Sequence, residues 1–392
     1  MHTNYAPIGE YIKPVDERNS DSQATLLLGV SINKHFMPSV ANIIGTDLTK
    51  YKVIRRNQFA CSLMQVSRDE KIPVDRLADY EIAIVSPAYH VFEVADTEKL
   101  MPEYLAMWFK RSEFDREASF LGVGGVRGSM TWADFCGMKL PVPSLDRQKA
   151  VVKAYQTITD RIALKRAIND NLEATAGAAF ANLFGATSTT GYESDNEVVE
   201  LGSIVDFVDG DRGFNYPKQE DFMMDGYCLF LNASNVTANG FSFDSQAFIS
   251  KERDELLRKG KLARNDIVLT SRGTVGNVAF YGKEIPFYNI RINSGMLILR
   301  AKSSKYPPHF IYALIRSPYM AMAIEQFTSG SAQPQLPIKD LQRVQLPLPP
   351  VHNNIRVLAD QIEVIDDQIT LNNNEILQLR SLGDVLLANL AR

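Results

Sequence analysis

Residues 355–390 read IRVLADQIEVIDDQITLNNNEILQLRSLGDVLLANL, a stretch in which apolar side chains recur in strict alternation of three and four residues. The eleven positions at this spacing are Ile355, Leu358, Ile362, Ile365, Ile369, Asn372, Ile376, Leu379, Gly383, Leu386 and Leu390. Nine of the eleven are aliphatic. This alternation is the seam of a coiled coil, which predicts one long helix packed against a partner helix.

The partner helix is predicted within the same chain, 207 residues earlier. The equivalent positions form a weaker but mostly apolar series: Gln148, Val151, Tyr155, Ile158, Ile162, Lys165, Asn169, Leu172, Ala176, Ala179 and Leu183. Other matching segments are LPVP at 140–143 with LPLP at 346–349, ANL at 181–183 with ANL at 388–390, Asp134 with Asp340, Ser67-Arg68 with Ser271-Arg272, and 8–12 with 201–205. The chain therefore contains two copies of one structural unit.

These signals predict five segments along the chain. They are a first globular domain at 1–145, a long helix at 146–185, a small polar linker at 186–196, a second globular domain at 197–350 and a second long helix at 351–392. Because the two ends of a compact domain usually lie close together, the second domain brings the end of one helix near the start of the other. The predicted fold class is α+β, with two α/β domains in pseudo-twofold arrangement joined by two long helices that form an antiparallel coiled coil.

Both globular domains combine strand-like and helix-like runs. Runs rich in β-branched and aromatic residues predict strands at 59–64, 81–85, 90–94, 266–270, 277–281 and 296–300. Apolar spacing predicts helices at 103–114 and about 309–320. Each domain is therefore expected to contain a sheet covered by at least one helix.

Two polar residues interrupt the middle of the seam. In full antiparallel overlap Lys165 faces Asn372, and such a pair can fix the register of a coiled coil at some cost in stability. The alternative is that both side chains are exposed where the seam turns outward.

Composition limits the class of protein. The net charge is -4 and no segment is strongly basic, which weighs against a free-standing, non-specific nucleic-acid binder. The three cysteines are far apart in sequence and predict a reducing, cytoplasmic environment. No apolar run is long enough to predict a membrane span, and the five histidines show no metal-ligand spacing. No phosphate-binding, dinucleotide-binding or nucleophile motif is present, which favours a binding or scaffold protein.

Polar groups on predicted loops are the positive functional signal. Residues 270–277 read TSRGTVGN between two strands, and a glycine-flanked arginine suits contact with guanine and phosphate. The candidate DNA contacts are Lys50, Lys52, Arg55, Arg68, Lys71, Arg127, Ser129, Arg272, Thr274, Asn277, Ser331, Gln333 and Gln335. The alternatives are tight turns with solvated arginines and, for the basic group at 50–56, a solvated face.

This plan resembles the specificity (S) subunit of type I restriction–modification systems. Residues 140–184 and 346–390 resemble its two helical regions. Residues 28–31, 51–53 and 64–73 resemble one subtype of target-recognition domain, and residues 270–276 resemble another. Lys165, Asn169 and the alanines make the first seam less apolar than the resemblance leads us to expect.

The resemblance implies a chain without catalytic activity that reads an asymmetric bipartite site in double-stranded DNA, one half-site per domain. It implies assembly with two methyltransferase (M) subunits and with restriction/translocase (R) subunits, and no association with membranes. S-adenosylmethionine, ATP and Mg²⁺ would belong to those partners, and the chain itself would hold no cofactor or metal. The alternatives are a coiled-coil assembly scaffold without DNA readout and an enzyme with an unrecognised active site.

Overall fold

The structure, a computed structural model, describes residues 5–39, 45–64, 66–124, 128–184, 197–328, 335–348 and 353–391. The chain forms two compact units, Met1–Ile162 with Gln378–Arg392, and Ala163–Leu377. The division falls inside both long helices, so each unit contains part of each. The predicted linker at 186–196 lies outside the described residues. No helix of the described ranges is long and apolar enough to cross a membrane.

The first unit is built on a four-stranded antiparallel sheet. The elements that begin in it are β1 (Tyr5–Pro7), β2 (Ile12–Val15), β3 (Leu28–Val30), β4 (Phe36–Pro38), β5 (Lys52–Arg55), β6 (Phe59–Cys61), α1 (Val66–Asp69), β7 (Val74–Arg76), β8 (Ile82–Val85), β9 (His90–Val94), α2 (Pro102–Phe109), α3 (Ser112–Leu121), α4 (Trp132–Gly137), β10 (Lys139–Pro141) and α5 (Leu145–Phe184). The main sheet has the order β2-β9-β6-β7, and β1-β10, β3-β4 and β5-β8 form separate pairs. Its core joins the sheet to α2–α4 through aromatic side chains, among them Phe59 and Phe92, whose rings stack at 5.1 Å.

The second unit also contains a four-stranded antiparallel sheet. Its elements are β11 (Glu197–Glu200), α6 (Leu201–Ile204), β12 (Val205–Asp209), β13 (Cys228–Leu231), β14 (Val236–Thr237), β15 (Gly240–Phe241), β16 (Phe248–Ile249), α7 (Lys251–Leu256), β17 (Ile267–Thr270), β18 (Val278–Phe280), β19 (Ile290–Ile292), β20 (Met296–Ala301), α8 (Pro308–Ile315), α9 (Pro318–Thr328), α10 (Ile338–Gln342), β21 (Gln345–Leu348) and α11 (Asn353–Ala388). The main sheet has the order β12-β20-β17-β18, beside the sheet β16-β13-β19 and the pairs β11-β21 and β14-β15.

The six predicted strands are present, but each of the two helices predicted inside the globular domains is two helices. The run at 103–114 breaks at Arg111, whose backbone is extended with ψ of 138° between α2 and α3. The run at 309–320 breaks before Pro318, because a proline disfavours helical backbone at the residue that precedes it. Apolar spacing continued across both breaks and therefore did not reveal them.

The predicted internal repeat is visible in the topology. In both units the first strand of the main sheet (β2 or β12) pairs with the last strand (β9 or β20). The last strand also pairs with an inner strand (β6 or β17), whose other neighbour is the next strand along the chain (β7 or β18). The sequence match between residues 8–12 and 201–205 is explained by packing. A Cβ on Gly9 would lie 2.9 Å from the Cβ of Cys136, and one on Gly202 would lie 3.0 Å from the Gln342 oxygen. In both copies only glycine lets the chain pass this close to a short helix.

One predicted match between the copies is displaced. Met130 N donates to Leu63 O at 3.0 Å, and Leu336 N donates to Ser271 O at 2.9 Å. These equivalent bonds make Leu63 the counterpart of Ser271, so pairing Ser67-Arg68 with Ser271-Arg272 was wrong by about four residues. Arg68 lies instead on the short helix α1.

Each unit contains antiparallel parts of the two long helices. In the first unit Val152 of α5 shares a core with Leu387 and Leu390, near the end of the chain. In the second unit Phe180, near the end of α5, shares a core with Ile355 and Leu358, near the start of α11. The predicted α+β fold with two long antiparallel helices is therefore confirmed. Among the predicted seam residues, Ile158, Ile362, Ile369, Asn372 and Ile376 are buried, and Ile162, Lys165, Leu172, Ile365 and Leu379 are half-buried.

The two polar residues in the middle of the seam are in contact. Lys165 Nζ donates to Asn372 Oδ1 at 2.9 Å and forms an ion pair with Glu375 at 2.9 Å. Asn372 is 1% exposed and donates through Nδ2 to Asn169 Oδ1 at 2.7 Å. Asn169 in turn donates to Asn373 Oδ1 at 2.9 Å. The interruption is a buried polar network, not an exposed turn of the seam.

A buried carboxyl group gives the second unit a pH-dependent stability. Asp366 of α11 is 8% exposed, and burial raises its pKa to about 7 against the lowering effect of Arg316, with Asp367 and Glu173 adding to the rise. The folded-state pKa exceeds the unfolded value of about 4, so the folded state binds the proton more tightly. The stabilising contribution is complete below pH 4 and is lost as the pH rises to 7.

We therefore expect Asp366→Asn to stabilise the second unit above pH 7. Above pH 7 the ionised Asp366 carboxylate lowers the free energy of unfolding by up to about 4 kcal/mol, because each unit of difference between the folded and unfolded pKa corresponds to ~1.4 kcal/mol. The amide must replace the carboxyl's contacts, so the expected net gain is about 2 kcal/mol at pH 8 and near zero at pH 4. Denaturant unfolding at both pH values measures it, with Asp360→Asn on the exposed face of α11 as the control. An equal gain at the two pH values would contradict the assignment.

Candidate DNA-binding surface

Two loops that the sequence predicts separately lie together in the second unit. Residues 271–277 connect β17 to β18, and Arg272 forms an antiparallel bridge with Gln335 in the segment that leads to α10. The backbone of Arg272 is held further by its N–H, which donates to Gly295 O at 3.1 Å. Ser331 and Gln333, predicted on the same segment, lie outside the described residues.

The predicted side chains of this region have different roles. Thr274 is exposed and Arg272 is half-exposed, so both can reach a ligand. Asn277 Nδ2 instead donates to Val236 O at 2.9 Å, and its backbone N–H donates to Thr270 Oγ1 at 2.9 Å. Asn277 therefore holds the loop against β14.

The first unit brings together the corresponding segments. A Cβ on Gly128 would lie 2.3 Å from Ser67 Oγ and 3.3 Å from Arg68 N, so the end of the glycine-rich loop lies directly on α1. Arg68 is exposed and pairs with Asp69 at 2.8 Å, Lys71 is exposed, and Ser129 is half-buried. Arg127 lies outside the described residues.

The predicted basic cluster at 50–56 is neutralised by acidic residues from elsewhere in the unit. Arg55 forms a two-pronged pair with Glu17 at 2.6 and 3.1 Å, and Lys52, largely covered, pairs with Asp16 at 3.4 Å. Lys50 is exposed and lies 3.7 Å from Asp47. These contacts make Lys50, Lys52 and Arg55 weaker candidates for phosphate than the two loop regions, although their role stays a prediction.

A loop that the sequence analysis did not single out adjoins the Arg272 loop. Arg212 Nη2 donates to Ser294 O at 3.3 Å, in the β19–β20 turn that also accepts the Arg272 N–H. Phe214 on this loop is fully exposed. The available signal was the turn composition of DGDRG at 209–213, which predicts a loop and not its position.

Two features that catalysis can use, a metal-ligand cluster and a reactive thiol, were sought among the described residues. The described residues contain no group of three or more His, Cys, Asp or Glu side chains arranged to hold a metal ion. Burial raises the pKa of all three cysteine thiols, that of Cys228 to about 12, which makes them poor nucleophiles.

Comparison with known proteins finds similarity to the same family on independent grounds. Residues 193–381 match the type I restriction modification DNA specificity domain. The chain is similar to the type I restriction enzyme EcoBI specificity subunit of Escherichia coli, 26% identical over 147 residues that span 37% of this chain and 30% of that one. It is also similar to the MjaVIII specificity subunit of Methanocaldococcus jannaschii, 25% identical over 259 residues that span 62% of this chain and 58% of that one. Both alignments span less than two thirds of the relative's length.

The fold agrees with a solved structure of the same kind. The S subunit of a type I restriction–modification system from M. genitalium matches with a TM-score of 0.61 and 15% identity, covering 99% of this chain and 96% of that chain. At this identity the match shows the fold alone. Taken with the matching domain and the curated relatives, it confirms the resemblance predicted from the sequence: residues 193–381 match the DNA specificity domain, and the similar proteins are specificity subunits of type I restriction enzymes.

Proposed function

We propose that this chain is the DNA-reading subunit of a type I restriction–modification complex and that each domain reads one half of an asymmetric bipartite site in double-stranded DNA. The observation that carries the proposal is the duplicated fold with unlike loops. The two main sheets share one strand order, while α1 occupies the first copy where the Arg272 loop occupies the second. Equal scaffolds with different reading loops suit two unrelated half-sites.

The charge of the chain supports a division of labour between subunits. A net charge of -4 does not favour strong non-specific binding of phosphate by the chain alone. We propose that two methyltransferase subunits supply phosphate contacts and adenine-N6 methylation, and that restriction subunits complete the complex. Catalysis, with S-adenosylmethionine, ATP and Mg²⁺, then belongs to those partners.

Exposed apolar side chains on α11 support a role in assembly. Val357, Val364 and Leu371 are all exposed and recur at intervals of seven residues, away from the seam. Leu164 of α5, 207 residues before Leu371, is exposed as well. A heptad stripe that the described part of the chain leaves uncovered suits the packing of a further helix.

The test is a map of N6-methyladenine in host DNA when the chain is co-expressed with its methyltransferase partner. We expect a split motif. When residues 197–350 are exchanged for another recognition domain, only one half of that motif should change. The matched control is exchange of residues 1–145, which should change only the other half. Absence of any split motif, with the methyltransferase present and folded, would favour a coiled-coil scaffold without DNA readout.

A further inference from the structure

Phe214 has no structural role that explains its position. Its side chain is 100% exposed on the loop that follows β12. Full exposure of a large aromatic side chain is unfavourable in water, because apolar surface is stabilised by burial. A contact outside the chain would recover this free energy.

The loop presents Phe214 in a fixed position. Gly213 N donates to Asp211 Oδ1 at 2.9 Å, and Tyr216 N donates to Gly213 O at 3.0 Å, which closes a turn with Phe214 at its tip. On the far side Asn215 Nδ2 donates to Leu256 O at 3.3 Å. Because the turn is anchored on both sides of Phe214, little conformational entropy is lost when it binds.

The loop is attached to the same turn as the Arg272 loop. A Cβ on Gly210 would lie 2.1 Å from Asn293 O, so the two backbones are in direct contact. In the same β19–β20 turn, Gly295 O accepts the N–H groups of Ser271 at 2.8 Å and Arg272 at 3.1 Å. The loop that carries Phe214 therefore adjoins the proposed reading loop.

The side chains around Phe214 favour a polyanion as the ligand. Arg212 precedes it and is half-exposed, although it also pairs with Asp209 at 3.1 Å. Arg258 is exposed and donates its backbone N–H to Asp211 at 2.7 Å, which places it beside the loop, and Lys259 is exposed next to it. Cations around one apolar tip suit a nucleic-acid groove better than an apolar pocket of a protein partner.

We propose that Phe214 enters the groove of the half-site read by the second recognition domain and packs against a base, as a specificity-determining residue. The inference rests on the proposed function and adds a residue to it. Apolar side chains read DNA through contact with base edges or by partial insertion between base pairs. Arg272 would supply the polar contact and Phe214 the apolar contact of the same half-site.

The test compares F214A with Y288A in the full chain bound to its methyltransferase partner. Tyr288 is 84% exposed in the same unit but lies before β19, at the end of that strand remote from the β19–β20 turn. The probe is a duplex that carries the motif from the methylation map, titrated over a series of salt concentrations. We expect F214A to weaken binding about tenfold or more with an unchanged salt slope, because no phosphate contact is lost. Y288A should bind within about twofold of the parent chain.

Methylation maps locate the effect and separate the outcomes. F214A should relax the half of the motif assigned to residues 197–350 and leave the other half intact. Unchanged binding and an unchanged map for F214A, while R272A weakens binding, would overturn the role of Phe214 and leave the proposed function standing. Loss of methyltransferase from purified F214A complexes would also overturn it, because Phe214 would then contact protein. Absence of any split motif in the parent complex would overturn both.

Discussion

Replacement of Arg272 by alanine is expected to weaken binding of the methyltransferase complex to its cognate duplex by about tenfold to a hundredfold. A bidentate arginine–guanine contact contributes roughly 1–3 kcal/mol of discrimination, so the methylation motif should also become degenerate at one position. The change should fall in the half-site of the second domain. The measurements are duplex affinity at fixed salt and the map of methylated adenines.

The structure makes Arg272 a strong choice for this test. Its backbone is held by Gly295 O and by the bridge to Gln335, so the side chain starts from a fixed point. Its Nε is buried and has no hydrogen-bond partner within the described residues, which leaves a donor unsatisfied in the free chain.

Two variants separate base reading from charge. Arg272→Lys keeps the charge but loses the planar fork, and it should be nearly as weak as alanine if the contact is bidentate. Arg343→Ala removes an exposed arginine after α10 and should change affinity by no more than about twofold. A uniform loss across all sequences with R272A, without a degenerate position, would assign Arg272 to phosphate.

The long helices and the repeat could be predicted from the sequence because both rest on local or periodic signals. The heptad seam at 355–390 has eleven positions separated by steps of three or four residues, a pattern that no other fold element explains. The antiparallel register also followed, since Lys165 and Asn372 face each other as the spacing requires. Strands were found where β-branched and aromatic residues cluster.

The candidate site could be predicted less well from the sequence, because it depends on contacts between segments that are distant in the chain. Lys52 and Arg55 formed a basic cluster in sequence, yet Asp16 and Glu17 neutralise them from another strand region. Asn277 was predicted to contact DNA, but its side-chain amide donates a hydrogen bond to Val236 O of β14. The exposure of Phe214 has no sequence signature, because an exposed and a buried phenylalanine look alike in one chain.

The buried network around Asn372 gives the largest expected change in stability. We expect Asn372→Leu alone to destabilise the second unit by about 2–4 kcal/mol, because in a buried seam it removes the Oδ1 that accepts from Lys165 and the Nδ2 that donates to Asn169. The double variant Lys165→Leu/Asn372→Leu should be more stable than the parent chain, since an apolar pair fills the seam. Denaturant unfolding of the full chain measures both, with Gln378→Leu on the exposed face of α11 as the control.

The two results together decide what the network is for. Suppose that the single variant has a lower free energy of unfolding than the parent chain and the double variant a higher one. The polar pair then costs stability, as expected for a pair that fixes the register of the helices. A double variant weaker than the parent would mean that the network itself stabilises the seam, and the register hypothesis would fail. A single variant as stable as the parent would mean that Lys165 and Asn169 find other partners. Glu375 provides one for Lys165, at 2.9 Å, so Asn169 is the residue whose loss of a partner the experiment tests most directly.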